Sequence, residues 1–247
     1  MTRAAKLPNS LPPDPPADPP ADCALCPRLV AYRQENQAKQ PDWFNGAVAS
    51  FGPRDARLLI VGLAPGVTGA NRTARPFTGD FAGDLLYETL AAHGFSTGTY
   101  DRRADDGLEL VDCRITNAVR CVPPQNKPIG AEIKTCRQFL IAELAAQTGS
   151  PKPRAILALG RIAHDSLLTT LELRRAAYKF AHCARHDVGN GQIIYDSYHC
   201  SRYNTNTGRL TTAMFNDVFA AIRRELQTAD AVADADAGPR GRPNRLE

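Results

Sequence analysis

The sequence predicts an α/β protein: a three-layer α/β/α sandwich around a central four-stranded, mainly parallel sheet. Two observations predict it. Short apolar runs of strand length recur along the chain, and each is followed by an amphipathic stretch of helical length. Strands buried on both faces read as continuous apolar runs. Regular strand–helix alternation implies a parallel sheet covered by helices on both faces.

The first strand is Arg57-Leu58-Leu59-Ile60-Val61-Gly62-Leu63, an apolar run ending at glycine, and a helix follows over 83–93. Strand 113–119 then leads to helix 131–147, strand 154–159 to helix 161–171, and strand 192–198 to helix 209–226. Outside these elements, residues 1–21 read as a disordered Pro-rich lead, because a run such as Pro12-Pro13-Asp14-Pro15-Pro16 excludes both a helix interior and a central strand. Residues 229–247 alternate Ala and Asp and then turn to Gly, Pro and Arg. Burial there cannot offset ordering entropy, so a disordered tail is expected. Between them lies one domain, 22–228.

Seven cysteines, an odd count, argue against a disulfide framework. No apolar run is long enough to span a bilayer and no basic-then-apolar leader opens the chain. A monomeric cytoplasmic protein in a reducing compartment, with no membrane partner, is the expectation. The net charge of +4 is a mild bias. Its distribution says more: Arg114, Arg120, Lys127, Lys134 and Arg137 face one acid, Glu132, and the segment 198–209 carries two arginines and a histidine with no acid. A solvated basic face accounts for either segment taken singly.

Four of the cysteines form a pattern. Cys23-x-x-Cys26 is answered by Cys121 and Cys136, with fourteen residues between them. Four thiolates close a tetrahedral zinc site or hold an iron–sulfur cluster, and ligand count alone does not choose. The wide second pair differs from the short paired knuckles of structural zinc sites. Four unrelated thiols are the plainer alternative.

In open parallel sheets, ligands bind beyond the carboxyl ends of the strands. That rule gathers Gly62-Leu63-Ala64-Pro65-Gly66 after the first strand, Asn117 at the end of the second, Gly160 after the third and His199 after the fourth. A plain turn, a cap and a structural histidine would explain them one at a time; their shared position is what points to a site.

The residues at these positions resemble a known motif series. Gly62 to Gly66, Asn71-Arg72-Thr73-Ala74-Arg75-Pro76-Phe77-Thr78-Gly79-Asp80, Thr116-Asn117-Ala118-Val119-Arg120-Cys121-Val122-Pro123-Pro124 and Tyr198-His199-Cys200-Ser201-Arg202-Tyr203-Asn204 are similar to the motifs of the iron–sulfur uracil-DNA glycosylases. The resemblance spans about 23–219. It implies that Cys23, Cys26, Cys121 and Cys136 hold a [4Fe–4S] cluster and that the partner is DNA containing uracil or other deaminated bases. Ala64, where the family 4 branch carries an acid, together with Asn71-Arg72-Thr73, places the likeness with family 5, whose members accept a wider range of bases, hypoxanthine among them.

The chemistry of base excision assigns roles. The departing base collects negative charge and must be flipped out of the stack, so donors aimed at its edge lower the barrier. Asn117 presents an amide to the base edge. His199 donates to the developing oxyanion, provided that its other nitrogen is held by the protein. Gly62, Ala64, Pro65 and Gly66 form a turn whose backbone amides add donors, and Phe77 stacks on the base. Asp80 either helps to position water or caps the helix that begins near Phe81. Arg72 and Arg75 reach flanking phosphates, while Ser201, Arg202, Tyr203 and Asn204 supply phosphate donors and an aromatic wedge. No lysine lies in these motifs, so a monofunctional hydrolysis leaving an abasic site is expected. A non-enzymatic nucleic-acid-binding module with a structural four-thiolate zinc site is the alternative. A nucleotide-binding hydrolase is disfavoured by the absence of phosphate-binding glycine motifs.

Overall fold

The computed structural model describes residues 18–145 and 153–236. Its first half holds helix α1 (Pro27–Lys39), strand β1 (Leu58–Gly62), helices α2 (Ala70–Thr73) and α3 (Phe81–Ala92), and strands β2 (Ser96–Thr97), β3 (Glu109–Leu110) and β4 (Cys113–Asn117). Helix α4 (Gly130–Leu144), strand β5 (Ala155–Leu159), helix α5 (Arg161–Thr170), strands β6 (Arg185–Gly189) and β7 (Gln192–Ser197), and helices α6 (Arg202–Asn206) and α7 (Thr212–Asp236) follow.

The main sheet has the order β4-β1-β5-β7-β6. Its first four strands pair in parallel, and every one of their residues is buried. Alternation of side chains along β1 sorts the two faces. Leu58 and Ile60 join α3 and α7 through Leu86, Leu90, Phe215 and Phe219. Leu59 and Val61 join α4 and α5 through Leu140, Leu144, Leu167 and Leu168. The three layers follow from these two apolar faces.

The expected four strands become five. β6 runs antiparallel to β7, Gly189 pairing with Gln192 across Asn190 and Gly191, both of which have positive φ. Of its residues only Val188 is buried, so this edge strand carries no apolar run. An Asn-Gly hairpin turn was its one signal.

The described residues include 18–21 and 229–236 of the two ends expected to be disordered, and both stretches carry structure. Asp18 accepts from the Ser50 amide at 2.7 Å and pairs with Arg120 at 2.9 Å and Arg114 at 3.3 Å. Arg33 donates to the carbonyls of Ala21 and Cys23, both at 2.5 Å. At the other end, α7 continues to Asp236 instead of stopping at 226. Alanine favours helix, extending a helix needs no new nucleus, and Asp230 pairs with Arg57. Residues 1–17, 146–152 and 237–247, which include the last two of the helix expected over 131–147, lie outside the described residues.

Two of the five basic residues of the stretch from Arg114 differ from a solvated face, while Lys127 and Lys134 are exposed. Arg114 and Arg120 are buried and converge with Asp18 on Glu143, Arg114 Nε to Glu143 Oε2 being 2.6 Å. These charges are consumed inside the fold.

Behind β7 a second buried polar group forms. His164 Nδ1 lies 2.7 Å from Asp196 Oδ1 and its Nε2 lies 2.9 Å from the Tyr178 carbonyl, while His186 Nε2 lies 3.0 Å from Asp196 Oδ2. A carboxylate and a carbonyl only accept, so both nitrogens of His164 donate when it is an imidazolium. Burial opposes the charge, but the Asp196 bond and charge and the Tyr178 carbonyl outweigh it and raise the His164 pKa. The resulting stabilisation is fully present below the unfolded value of about 6.5 and is lost as pH rises through the folded pKa. His164→Ala should therefore lower the thermal midpoint more at about pH 6 than at about pH 9. An equal loss at both values would show that the imidazolium form contributes nothing.

Candidate active site

Because β4, β1, β5 and β7 are parallel, their carboxyl ends lie along one edge of the sheet. The register sets Gly62 beside Asn117. Past the strand ends, Ala118 donates to the Gly62 carbonyl at 2.9 Å and Val119 to that of Leu63 at 3.0 Å, which extends the pairing into the loops. Above this edge opens a cavity of about 350 Å³. Ala64, Pro65, Gly66, Phe77, Asp80, Asn117, His199, Ser201 and Arg202 line it, so nine residues expected at the site do meet there. Leu63, Phe81, Ala82 and Asn126 complete the lining and were not anticipated. Asn126 could have been found as the polar residue of the Pro-rich loop after Cys121; Phe81 and Ala82 carry only a helix signal.

Two groups inside the cavity wall have no partner among the described residues. Asn117 is buried and its Oδ1 accepts no hydrogen bond; His199 Nδ1 is likewise enclosed and unpaired. The condition that the protein hold the second nitrogen of His199 is thus not met. Instead the ring stacks on Phe77, centroids 5.8 Å apart, and its backbone is tied by Asn204 Nδ2 donating to the His199 carbonyl at 2.8 Å. Burial lowers the His199 pKa to about 4, so the imidazole is neutral near pH 7. Phe77 holds a positive φ of 53° and faces the cavity with little exposure. The amides of Ala64 and Gly66 meet no acceptor among the described residues.

Of the two roles expected of it as alternatives, Asp80 takes the capping one, and its place in the cavity lining leaves the other open. It caps α3, Oδ1 accepting from the Gly83 amide at 3.3 Å, and it also lines the cavity. A Cβ at Gly69 would fall 2.3 Å from its Oδ2 and one at Gly66 2.9 Å, so two glycines clear room for that oxygen. Burial raises its pKa above the ordinary value.

Other assignments move. Gly62 lies behind the cavity wall and is absent from its lining; it makes room there for Asn117 and Phe77. Ser201 caps α6 as well as lining the cavity, and Asn204 spends one of its two side-chain N–H donors on the His199 carbonyl. Arg202 lies over the Phe81 ring at 5.2 Å, and Tyr203 is 71 % exposed beside it, as a wedge requires.

The four cysteines converge on one small cavity about 1 helix turn from the start of α1 and along α4, lined by Cys23, Cys26, Cys121 and Cys136 together with Leu29 and Phe139. Arg28 ties the two helices beside it through Glu132 at 2.7 Å, and the Arg120 amide donates to Cys136 Sγ at 3.3 Å. Burial pushes the Cys121 thiol up to about 12 and that of Cys136 to about 11. Among the described residues no three of these sulfurs lie within 4.8 Å of one another, the one such ligand group being His164, His186 and Asp196. A single zinc with bonds of about 2.3 Å would bring its sulfurs to about 3.8 Å. The cage is wider than that.

The model of the uracil DNA glycosylase superfamily matches residues 49–223. The chain belongs to the uracil-DNA glycosylase superfamily. Its similarity to the type-5 uracil-DNA glycosylase of Thermus thermophilus is 43 % identity, covering 82 % of this chain and 93 % of that one. The type-5 enzyme of Pyrobaculum aerophilum is 38 % identical over 88 % and 90 % of the two chains. The type-4 enzyme of the same organism is 34 % identical over only 62 % and 63 %.

In this superfamily member, part of the Asn71–Asp80 motif is a clasp. Asn71 is buried, donates through Nδ2 to Asn45 Oδ1 at 2.9 Å, and accepts the Asn45 amide on its carbonyl at 2.9 Å. Arg72 stays exposed beside Gly79 and keeps its expected place at the surface. Arg75 does not: it is buried, forms a two-pronged pair with Asp106 at 2.7 and 2.8 Å, and lies over the rings of Phe51, Tyr87 and Tyr100. Its expected phosphate contact is excluded by that burial. Because removing one partner strands a buried charge, Arg75→Ala should cost about 3–5 kcal/mol in denaturant unfolding. The salt dependence of DNA binding should stay unchanged in any folded fraction; a shallower slope would return Arg75 to the DNA surface.

Proposed function

We propose that this chain is a uracil-DNA glycosylase of the type-5 branch, which hydrolyses the N-glycosidic bond of a base flipped out of DNA and leaves an abasic site. The observation that carries the assignment of roles is the pair of unpartnered groups, Asn117 Oδ1 and His199 Nδ1, enclosed beside the Phe77 ring in a cavity large enough for a base. Most buried polar atoms in folded proteins are paired, and of the unpaired ones here these two belong to residues that line the cavity, where a polar ligand can reach them.

The base enters against Phe77, and Asn117 engages its polar edge through the amide. As the glycosidic bond lengthens, negative charge gathers on the base. The neutral imidazole of His199, set in place by its stacking on Phe77 and not by a bond to Nδ1, offers its N–H to that charge, and the amides of Ala64 and Gly66 add to the field. Asp80, with one oxygen engaged by the helix, turns the other to the water that attacks the sugar. Ala64 contributes no side-chain polarity, and the cavity admits hypoxanthine as well as uracil. Arg72 and Arg202 contact phosphates, and Tyr203 fills the gap left in the stack. Cys23, Cys26, Cys121 and Cys136 hold a [4Fe–4S] cluster, a group that supplies a cross-link between the start of α1 and α4; the spread of the four sulfurs and the need for a cation to keep such buried thiols ionised support this. The chain acts as a monomer in the cytoplasm. No described helix is long and apolar enough to cross a membrane.

Duplexes differing only in a single uracil, hypoxanthine or undamaged base should yield alkali-labile sites with the first two; no release from either would sink the assignment. His199→Ala should slow single-turnover uracil release by roughly a hundredfold to a thousandfold with iron content unchanged. The wild-type rate should be level across the neutral range and fall only as pH drops toward about 4, where the imidazole becomes charged. A limb near the ordinary histidine value would rule out the neutral imidazole as donor. The protein isolated without oxygen should carry about four irons, lost in Cys136→Ala along with the ordering of the N-terminal segment; stoichiometric zinc would contradict the cluster.

A further inference from the structure

The loop that joins the two later cysteines reaches the mouth of the base cavity. It leaves Cys121, passes Pro123 and Pro124, and enters α4 on the way to Cys136. Within it Gln125 and Asn126 both hold a positive φ of 55°, a conformation that L residues rarely adopt. Two such residues in succession persist only where their surroundings hold them, and they mark segments shaped for contact. Asn126 alone of the two lines the cavity, and it also lines an adjoining trench with Thr68, Asp80, Asp84, Arg102 and Arg202. The residue is exposed, its backbone amide donates to the Pro123 carbonyl at 3.1 Å, and its side-chain amide meets no partner among the described residues.

The two spaces differ in chemistry. The base cavity is walled by Phe77, Phe81, Ala64 and Pro65, whereas the trench carries charged side chains. A nucleotide inserted base-first leaves its sugar and phosphates at their boundary, where Asn126 stands. In the trench Arg102 is already bound by Asp84 at 2.6 and 2.8 Å, while Arg202 only lies over a ring. The donors open to an anion there are Asn126, Arg202 and the Thr68 hydroxyl, and of these only Asn126 and Arg202 also line the base cavity.

We propose that Asn126 is a substrate-contacting residue of this site, its amide donating to the phosphodiester of the extruded nucleotide opposite Arg202. This inference rests on the glycosylase reading. The loop's ends are fixed by Cys121 and Cys136, so the same cage that fastens the N-terminal segment also sets the reach of Asn126.

Asn126→Gly is the informative variant, because glycine keeps the positive φ without strain and removes only the amide. It should raise KM for uracil-containing duplex about tenfold, the effect of one hydrogen bond to a charged group, with little change in single-turnover rate at saturating enzyme. Asn126→Asp should raise KM further, since a carboxylate repels the phosphate. Gln125→Gly, which relieves the neighbouring strain, should match wild type. Arg202→Ala should flatten the salt dependence of binding by about one unit of slope, and Asn126→Gly should leave the slope as it is. A wild-type KM in Asn126→Gly, or a fall in single-turnover rate with KM unchanged, overturns the proposal. Failure of the wild-type protein itself to release uracil would overturn the glycosylase reading, a result distinguishable because it precedes any variant.

Discussion

The end of β1 has no room for a side chain, and the cavity depends on that. A Cβ at Gly62 would lie 2.4 Å from Asn117 Oδ1 and 2.7 Å from Cζ of Phe77. With hydrogen there instead, the amide at the end of β4 and the ring from the loop before α3 close over the strand together, and Phe77 reaches His199 from the far side of the sheet edge. The same device recurs at Gly66 and Gly69, whose missing side chains leave space for Asp80 Oδ2. Three glycines thus place an amide, an aromatic face and a carboxylate within one cavity, where any larger residue would displace one of those three side chains.

A second constraint ties this cavity to the cysteine cage. Ala64 lines the cavity on one side and packs on the other against the cluster of Leu29, Val119, Cys121, Cys136 and Phe139. A residue with a long polar side chain at 64 would have to be accommodated between these two spaces. The N-terminal segment is fastened to the same region by charge: Asp18 meets Arg114 and Arg120, and both arginines meet Glu143. Burying so many charges is tolerable only because each is paired and hydrogen-bonded, as Ser50 also is to Glu143 and Thr116. The cage, the segment and the first wall of the cavity form one connected body.

Much of this was legible in the sequence, and the legible part has a common character. Four fully buried strands announce themselves as apolar runs, and a parallel order places their ends together, which was enough to bring Asn117, His199 and the Ala64 turn to one crevice. The cysteine pattern likewise reported a convergence over nearly a hundred residues, because no other reason would place those thiols at the start of one helix and inside another. β6 escaped notice because an edge strand with one buried side chain has no periodic signature, although Asn190-Gly191 marked its turn.

What the sequence by itself determined was the layering of the fold, the edge at which the site lies and the residue types that meet there. What only the tertiary structure decided was which polar groups remain available. Arg75, Arg114 and Arg120 look in sequence like Arg72 and Arg202, yet the first three are spent on Asp106, Asp18 and Glu143 and the other two stay at the surface. Asn204 and Asn126 are equally alike on paper, but one holds the backbone of His199 and the other stands at the cavity mouth. A charge or an amide has the same chemistry wherever it occurs; whether it is free to act is set by the partner that folding brings from a distant part of the chain.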